Sequence, residues 1–430
     1  MCSLRRSSSA TLPGGGSCLA ELQSGSIAAT WYAGWDSAKF PLTNLSWSKY
    51  THVIYSFAET SGDENMVTLE ESDAQILPTF VSLAHQNNVK SILSVGGWGG
   101  SRFYSTAVAN EANRTAFVQA LLSLVSQYNL DGLDFDWEYP DGEGIGCNAK
   151  SGMDASNFLA FLQALRAEPA GANLILSSAT SIKPYNGQDG TPLSDVSQFS
   201  KVLDYIEIMN YDVYGSWSAT VGPNSPLNDT CVSSSVEQQG SAVSAVKAWT
   251  DAGFPASQIV LGVASYGHSF SVSNSDALSG SSDNSSGSGS DSGQLQLYPQ
   301  FNKANQPAGD SWDSTPGDTD VCGNPTVTGG VFNFWGLIQG GFLDEDGDPA
   351  NGMKFTFDNC SQTPFIYNPN TQVLVSYDDA NSFAAKGKFI SDTGLAGFAM
   401  WQAGGDSDDI LLDSIREAMG HPSGSSTGGC

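Results

Sequence analysis

Positive charge is scarce in this chain. Only 17 lysines and arginines stand against 45 aspartates and glutamates, for a formal net charge of −28 over 430 residues. A surface this acidic repels polyanions, which excludes nucleic acid and anionic membranes as partners and suits a neutral or cationic substrate. The same acidity keeps an exported protein soluble. Long apolar runs are missing too: none reaches the ~18–20 residues that span a bilayer. Residues 1–10 carry Arg5 and Arg6 and then a serine-rich stretch with no apolar core behind it, so they do not read as a secretory signal. The seven cysteines (Cys2, Cys18, Cys147, Cys231, Cys322, Cys360 and Cys430) form no C-x-x-C pair, and none lies near a histidine at metal-ligand spacing. That argues against a zinc site, and neither metal nor cofactor is expected. No glycine-rich phosphate turn follows the first predicted strand, which argues against a doubly wound nucleotide-binding sheet.

What is present is enough apolar material for a sizeable core, 40% of residues. Five N-x-S/T triplets, at Asn44, Asn113, Asn228, Asn284 and Asn359, accompany the low lysine content. Together they point to a secreted, extracellular glycoprotein. Short β-branched or apolar runs alternate with helical periods. Strands are predicted over residues 30–35, 52–57, 90–95, 132–138, 174–179, 205–209, 259–264 and 397–401. Between them, Phe117, Leu121, Leu124 and Val125 share one helical face, as do Phe158, Phe161, Leu162 and Leu165, and later Leu411, Ile415 and Ala418. Eight such units predict an α/β protein, a (β/α)8 TIM barrel. The interval after the seventh strand is too long for a loop and predicts a small α+β insertion. The expected layout is an N-terminal extension over 1–28, the barrel over 29–268 and 376–420, the insertion over 269–375, and a flexible tail over 421–430. A Ser/Gly/Asp-rich stretch, 279–293, is expected to be a flexible surface loop.

The fourth predicted strand carries the chemistry. Side chains alternate along a strand, so Asp134, Asp136 and Glu138 share one face while Leu133, Phe135 and Trp137 take the other. In a barrel the acidic set faces inward, with ~6.6 Å between successive members. Like charges in a poorly solvated place raise one another's pKa, so a proton is retained or shared. A metal site is the bland alternative, but hard cations normally gather ligands from more than one element. Glu138 is last, at the carboxyl end where barrel active sites form, and is the expected proton donor. An ordinary retaining glycosidase places two carboxyls on opposite sides of the scissile bond, ~5–5.5 Å apart. Asp136 approaches from the same side as Glu138 and is badly placed as the nucleophile. A 2-acetamido group on the substrate can supply that nucleophile through its carbonyl oxygen.

With those residues in view the chain resembles glycoside hydrolase family 18, the chitinase family. The D-x-x-D-x-D-x-E motif matches Asp131, Asp134, Asp136 and Glu138; S-x-G-G matches Ser94, Gly96 and Gly97; M-x-Y-D matches Met209, Tyr211 and Asp212; the eighth-strand tryptophan matches Trp401. The resemblance runs from about residue 31 to 419. It implies that Glu138 is the general acid and then base, that Asp136 orients the acetamide, and that Asp134 shares its proton. It further implies that Tyr211 and Asp212 contact the acetamide and sugar, and that Trp401 is the floor of the central subsite. Tyr32, Phe57, Ser94 and Tyr139 match pocket-lining positions, Met209 reads first as wall packing, and Trp98 and Trp217 match aromatic platforms. Where the family often has Y-G-R, this chain has Tyr266, Gly267 and His268. The expected partner is chitin or chitooligosaccharide, bound by a monomer and cut with retention. An endo-β-N-acetylglucosaminidase on N-glycans and an inactive chitin-binding lectin are the competing readings. The cysteine pairs expected are Cys147 with Cys231, in two loops of the catalytic face, and Cys322 with Cys360, within the insertion.

Overall fold

The computed structural model describes residues 27–63, 66–231, 238–279 and 293–421. Cys2, Cys18, Cys430, Asn284, most of the Ser/Gly-rich stretch and nearly all of the expected extension and tail lie outside the described residues. Eight parallel strands close on themselves: Ile27–Ala33, His52–Thr60, Lys90–Gly96, Gly132–Asp136, Ile175–Thr180, Tyr205–Ile208, Ile259–Ala264 and Gly397–Trp401. The first pairs with both the second and the last, which completes the barrel. All eight predicted strands are found. The first begins and ends earlier than predicted, because Gly34–Asp36 turns into a single 3-10 turn. The second runs on to Thr60 through a bulge between Tyr55 and Ala58.

Period-2 alternation splits the apolar residues into two cores. Ala29, Trp31, Ile54, Ile92, Ala179, Tyr205, Val260 and Ala399 fill the barrel. Tyr32, Tyr55, Leu133, Phe135 and Trp137 face outward and meet the helices. Phe135 meets Phe158 and Phe161 edge-on at 5.9 and 5.4 Å, and Trp137 stacks on Tyr104 at 4.9 Å. Those partners sit on Glu111–Tyr128 and Asp154–Ala167 or just before them, and the predicted helical faces at Phe117, Phe158, Phe161, Leu162 and Leu165 are buried as the periodicity requires. The other long helices are Glu71–Gln86, Ala242–Asp251, Ala380–Thr393 and Ile410–Ala418. Only single turns link the first strand to the second and the fifth to the sixth.

The segment after the seventh strand forms a five-stranded antiparallel sheet, in the order Val331–Asn333, Tyr266–Ser271, Val373–Ser376, Thr363–Asn368, Lys354–Asp358. This sheet takes in Tyr266, Gly267 and His268, which the sequence reading assigned to the barrel. The disulfides correct the expected pairing. Cys147 joins Cys322 and Cys231 joins Cys360, with Cα separations of 5.7 and 5.8 Å. The insertion spreads over the carboxyl face of the barrel, so each of its cysteines meets a different barrel loop instead of its own neighbour. Each bond therefore clips the insertion to the barrel. Changing Cys322→Ser is expected to cost about 2–5 kcal/mol of stability. Urea denaturation without reductant measures it, and an unmoved midpoint would mean that this clip carries nothing.

Candidate active site

The register of the ladder builds the site. Ser94, Asp134 and Ser177 lie on one rung across three strands, and Asp136 pairs with Gly96 on a rung nearer the carboxyl end. Asp134 is fully buried and accepts from Ser94 Oγ at 2.6 Å, Ser177 Oγ at 2.9 Å and Trp31 Nε1 at 3.4 Å. Burial pushes its pKa up while these donors resist the rise. Asp136 is buried with no hydrogen-bond partner for Oδ1 among the described residues. Burial, then the charges of Glu138 and Asp134, hold its carboxyl well above the usual range. Glu138 is pushed up to about 7 by burial; a hydrogen bond from Tyr139 opposes the shift and the charge of Asp212 adds to it. The charge of Glu138 acts on Asp136, so the two carboxyls titrate as a coupled pair. A further buried carboxyl, Glu207, faces the barrel interior and is also held well up, by burial and by Asp134.

The strand exit is fixed by backbone contacts. Ser101 Oγ donates to the Asp136 carbonyl at 2.8 Å and accepts from the Glu138 N–H at 3.1 Å, while Asn148 donates to the Glu138 carbonyl at 2.7 Å. Gly96 has φ 107°, and a Cβ there would lie 2.2 Å from the Asp136 carbonyl oxygen. The glycine is thus required for the acidic strand to approach its neighbour. The cis peptide bond Ser56–Phe57 falls in the bulge of the second strand, and Glu138–Tyr139 and Trp401–Gln402 fall at or just past the carboxyl ends of theirs.

Above the carboxylates opens a cavity of about 580 Å³ lined by Trp35, Phe57, Glu59, Trp98, Asp136, Glu138, Tyr139, Met209, Tyr211, Asp212 and Trp401. Trp401 lines it and stacks at 5.8 Å on Phe57, which stacks at 5.9 Å on Trp35. Flat apolar faces beside a buried, proton-bearing carboxyl suit a sugar chain, whose C–H faces stack on aromatic rings and whose linking oxygen needs a proton. The sequence profile of the glycosyl hydrolases family 18 matches residues 28–406.

The chain belongs to family 18 of the glycosyl hydrolases. Its relatives include a "chitinase-like effector" of Moniliophthora roreri, 48% identical over 394 residues, covering 92% of this chain and 93% of that protein. A protein of the same description from Moniliophthora perniciosa is 48% identical over 395 residues, covering 92% and 87% of the two chains. Among solved structures, a chitinase from Rhizomucor miehei is 30% identical with a TM-score of 0.79, covering 91% of this chain and 100% of that one.

Most predicted positions line the cavity; Tyr32, Trp217, Asp134 and Ser94 do not. Tyr32 is a correction. It faces the outer core, buried against Phe40 and Tyr55, and its hydroxyl donates to the Phe40 carbonyl at 2.8 Å. The inward residue of that strand is its neighbour, Trp31. Trp217 is exposed and lies outside the cavity lining, edge-on to His268 at 5.4 Å. Ser94 lies beneath the cavity as a donor to Asp134. Met209 lines the cavity and packs on the inner core. The first motif aspartate, Asp131, is at the other end of the strand; burial would raise its pKa, but bonds from Ser91, Lys90 and His85 outweigh burial and hold it low. His268, where the family often has arginine, still reaches Asp212, Nε2 to Oδ1 at 2.7 Å, beside the Tyr266 hydroxyl at 2.8 Å. Trp35, Glu59, Trp31 and Ser177 were not anticipated. Trp31 and Ser177 were open to a parity argument, since Trp31 takes the inward face of the first strand and Ser177 pairs with Asp134.

Proposed function

We propose that the protein is a secreted chitinase, hydrolysing β-1,4 bonds between N-acetylglucosamine units with retention and with the substrate's own acetamide as nucleophile. The observation that carries this reading is the Asp136–Glu138 pair: Asp136 is buried at the end of the fourth strand, Glu138 is half-buried two residues beyond it, Asp136 Oδ1 has no hydrogen-bond partner among the described residues, and Glu138 is held at about 7. Glu138 protonates the linking oxygen. Asp136 accepts the acetamide N–H and steadies the charged ring that forms when the carbonyl oxygen attacks the anomeric carbon. The Tyr211 hydroxyl, which burial keeps protonated, donates to that carbonyl. Asp134, with its three donors, holds the pair in place as a partner in proton sharing. Water then enters as Glu138, now a base, takes its proton. Tyr139, Asp212, Phe57 and Trp401 bind the central sugar, and Trp98 extends the aromatic track. The disulfides and the exposed Asn44 and Asn359 of two N-x-S triplets support an oxidising, extracellular setting.

A second reading, sugar binding without turnover, draws on the two Moniliophthora relatives described as chitinase-like effectors. Retention of Glu138 and of the unbonded Asp136 oxygen favours turnover. A chitin hexamer and a high-mannose glycoprotein separate the readings. The expected result is short chitooligosaccharides whose new reducing ends are first formed as the β anomer, and no release of glycan. Glycan release would move the assignment to N-glycan cores, and binding of the hexamer without products would favour the lectin.

A further inference from the structure

We propose that Glu59 makes one subsite of the groove selective for glucosamine, the N-deacetylated and therefore cationic unit of partly deacetylated chitin. The proposal rests on the reading of the groove as a chitin-binding one and concerns a residue outside the reacting carboxylate pair. The bulge in the second strand sets its register so that Phe57 and Glu59 both line the cavity while Ala58, between them, is buried in the outer core. The Glu59 stem lies against Gly100, where a Cβ would come 2.9 Å from its Cγ. Its carboxylate thus joins the flank that Trp35, Phe57 and Trp98 build, with Trp35 58% and Trp98 52% exposed as open platforms.

This carboxylate differs from its neighbours in the cavity. Asp212 is held by Tyr266 and His268, and Asp136 and Glu138 form the reacting pair. Among the described residues no hydrogen bond reaches the Glu59 carboxylate. Burial raises its pKa, Glu70 and Asp73 add to the rise, and Arg102 opposes it. Arg102 commits Nε to the Gly99 carbonyl at 3.1 Å and Nη1 to the Val321 carbonyl at 3.2 Å. A half-buried carboxylate without a bonded donor gains most from a ligand that brings a charged one. N-acetylglucosamine offers a neutral acetamide at C2; glucosamine offers an ammonium there. The net charge of −28 draws such a polymer in as well. The sugar over Trp401 must still carry its acetyl group, so the favoured substrate is a mixed chain, acetylated where it is cut and deacetylated beside Glu59.

The test digests a partly deacetylated chitosan and, separately, the fully acetylated hexamer, with products sequenced by mass spectrometry. The wild-type protein is expected to leave an acetylated unit at the sugar that is cut and to enrich glucosamine at one fixed distance from it. In Glu59→Gln that enrichment disappears, and the ratio of kcat/KM on the chitosan to that on the hexamer falls about fivefold. Glu59→Asp restores part of the ratio, and added salt shrinks it in the wild type. Identical ratios and product sequences in wild type and Glu59→Gln would overturn the proposal. If the wild type cuts neither polymer, the hydrolase reading fails on its own. Calorimetric binding of a glucosamine-containing tetramer against an acetylated one then decides Glu59 by the same comparison.

Discussion

Glu138→Gln is expected to lower kcat on a chitin oligomer by about 10³-fold while oligomer affinity stays within a few-fold. Gln keeps the shape of the side chain and loses the proton that the leaving oxygen needs. The wild-type rate should fall as pH rises through about 7, because the acid form of Glu138 is lost there. The same change should stabilise the fold at alkaline pH. The folded state holds the Glu138 proton more tightly than the unfolded chain does, since burial lifts it from 4.5 to about 7. Below the unfolded value both states are protonated and nothing is lost. Between the two values stability declines with rising pH, and above the folded value the full penalty applies, on the order of 3 kcal/mol. Gln has no such penalty, so the variant should gain that much at pH 8 and nothing at pH 4. Denaturation at the two pH values, together with the hexamer assay, checks both halves. A variant that kept substantial turnover, or gained no stability at pH 8, would show that Glu138 is not the buried acid.

The eight strands were legible because each is a short apolar run with parity, bounded by polar segments. Their ends were less so, because a ladder stops where its partner stops. The predicted fourth strand reached Glu138, yet pairing ends at Asp136, and Trp137 and Glu138 continue without a partner. The inward direction of Asp134, Asp136 and Glu138 was legible from parity alone. Tyr32 went wrong for the same reason that those went right: one step along a strand exchanges the two faces, and Trp31 holds the inward one. Glu59 was hidden by a bulge, which no local pattern of residues announces. Trp35 sits on a 3-10 turn past the strand end, where parity has no meaning. The disulfide partners depend on how the insertion lies across the barrel, a tertiary fact that spacing along the chain does not carry.

A fully deacetylated chitosan should be cut at least ~10³-fold more slowly than chitin, because it lacks the nucleophile. The other candidates for that role are the cavity's own carboxylates. Asp136 and Glu138 leave one strand in the same direction and reach one side of the bond. Glu59 lies on the aromatic flank with Trp35 and Phe57. Asp212 lies in the loop after the sixth strand and is the serious rival among them. Its Oδ1 already accepts from the Tyr266 hydroxyl at 2.8 Å and from His268 at 2.7 Å, and its backbone sits at φ 55°, so the group is fixed as an acceptor. Its remaining influence is electrostatic, since its charge lifts the Glu138 pKa. Asp212→Asn should therefore lower kcat by about tenfold and move the alkaline limb of the pH profile downward, without abolishing turnover. Removal of a true nucleophile would abolish it. Efficient cleavage of the deacetylated polymer, or complete loss of activity in Asp212→Asn with a sugar left covalently on the wild-type chain, would transfer the nucleophile from substrate to protein. With neither, the acetamide is the group that attacks, and Asp136 acts by holding that acetamide in line through Oδ1, which has no partner among the described residues.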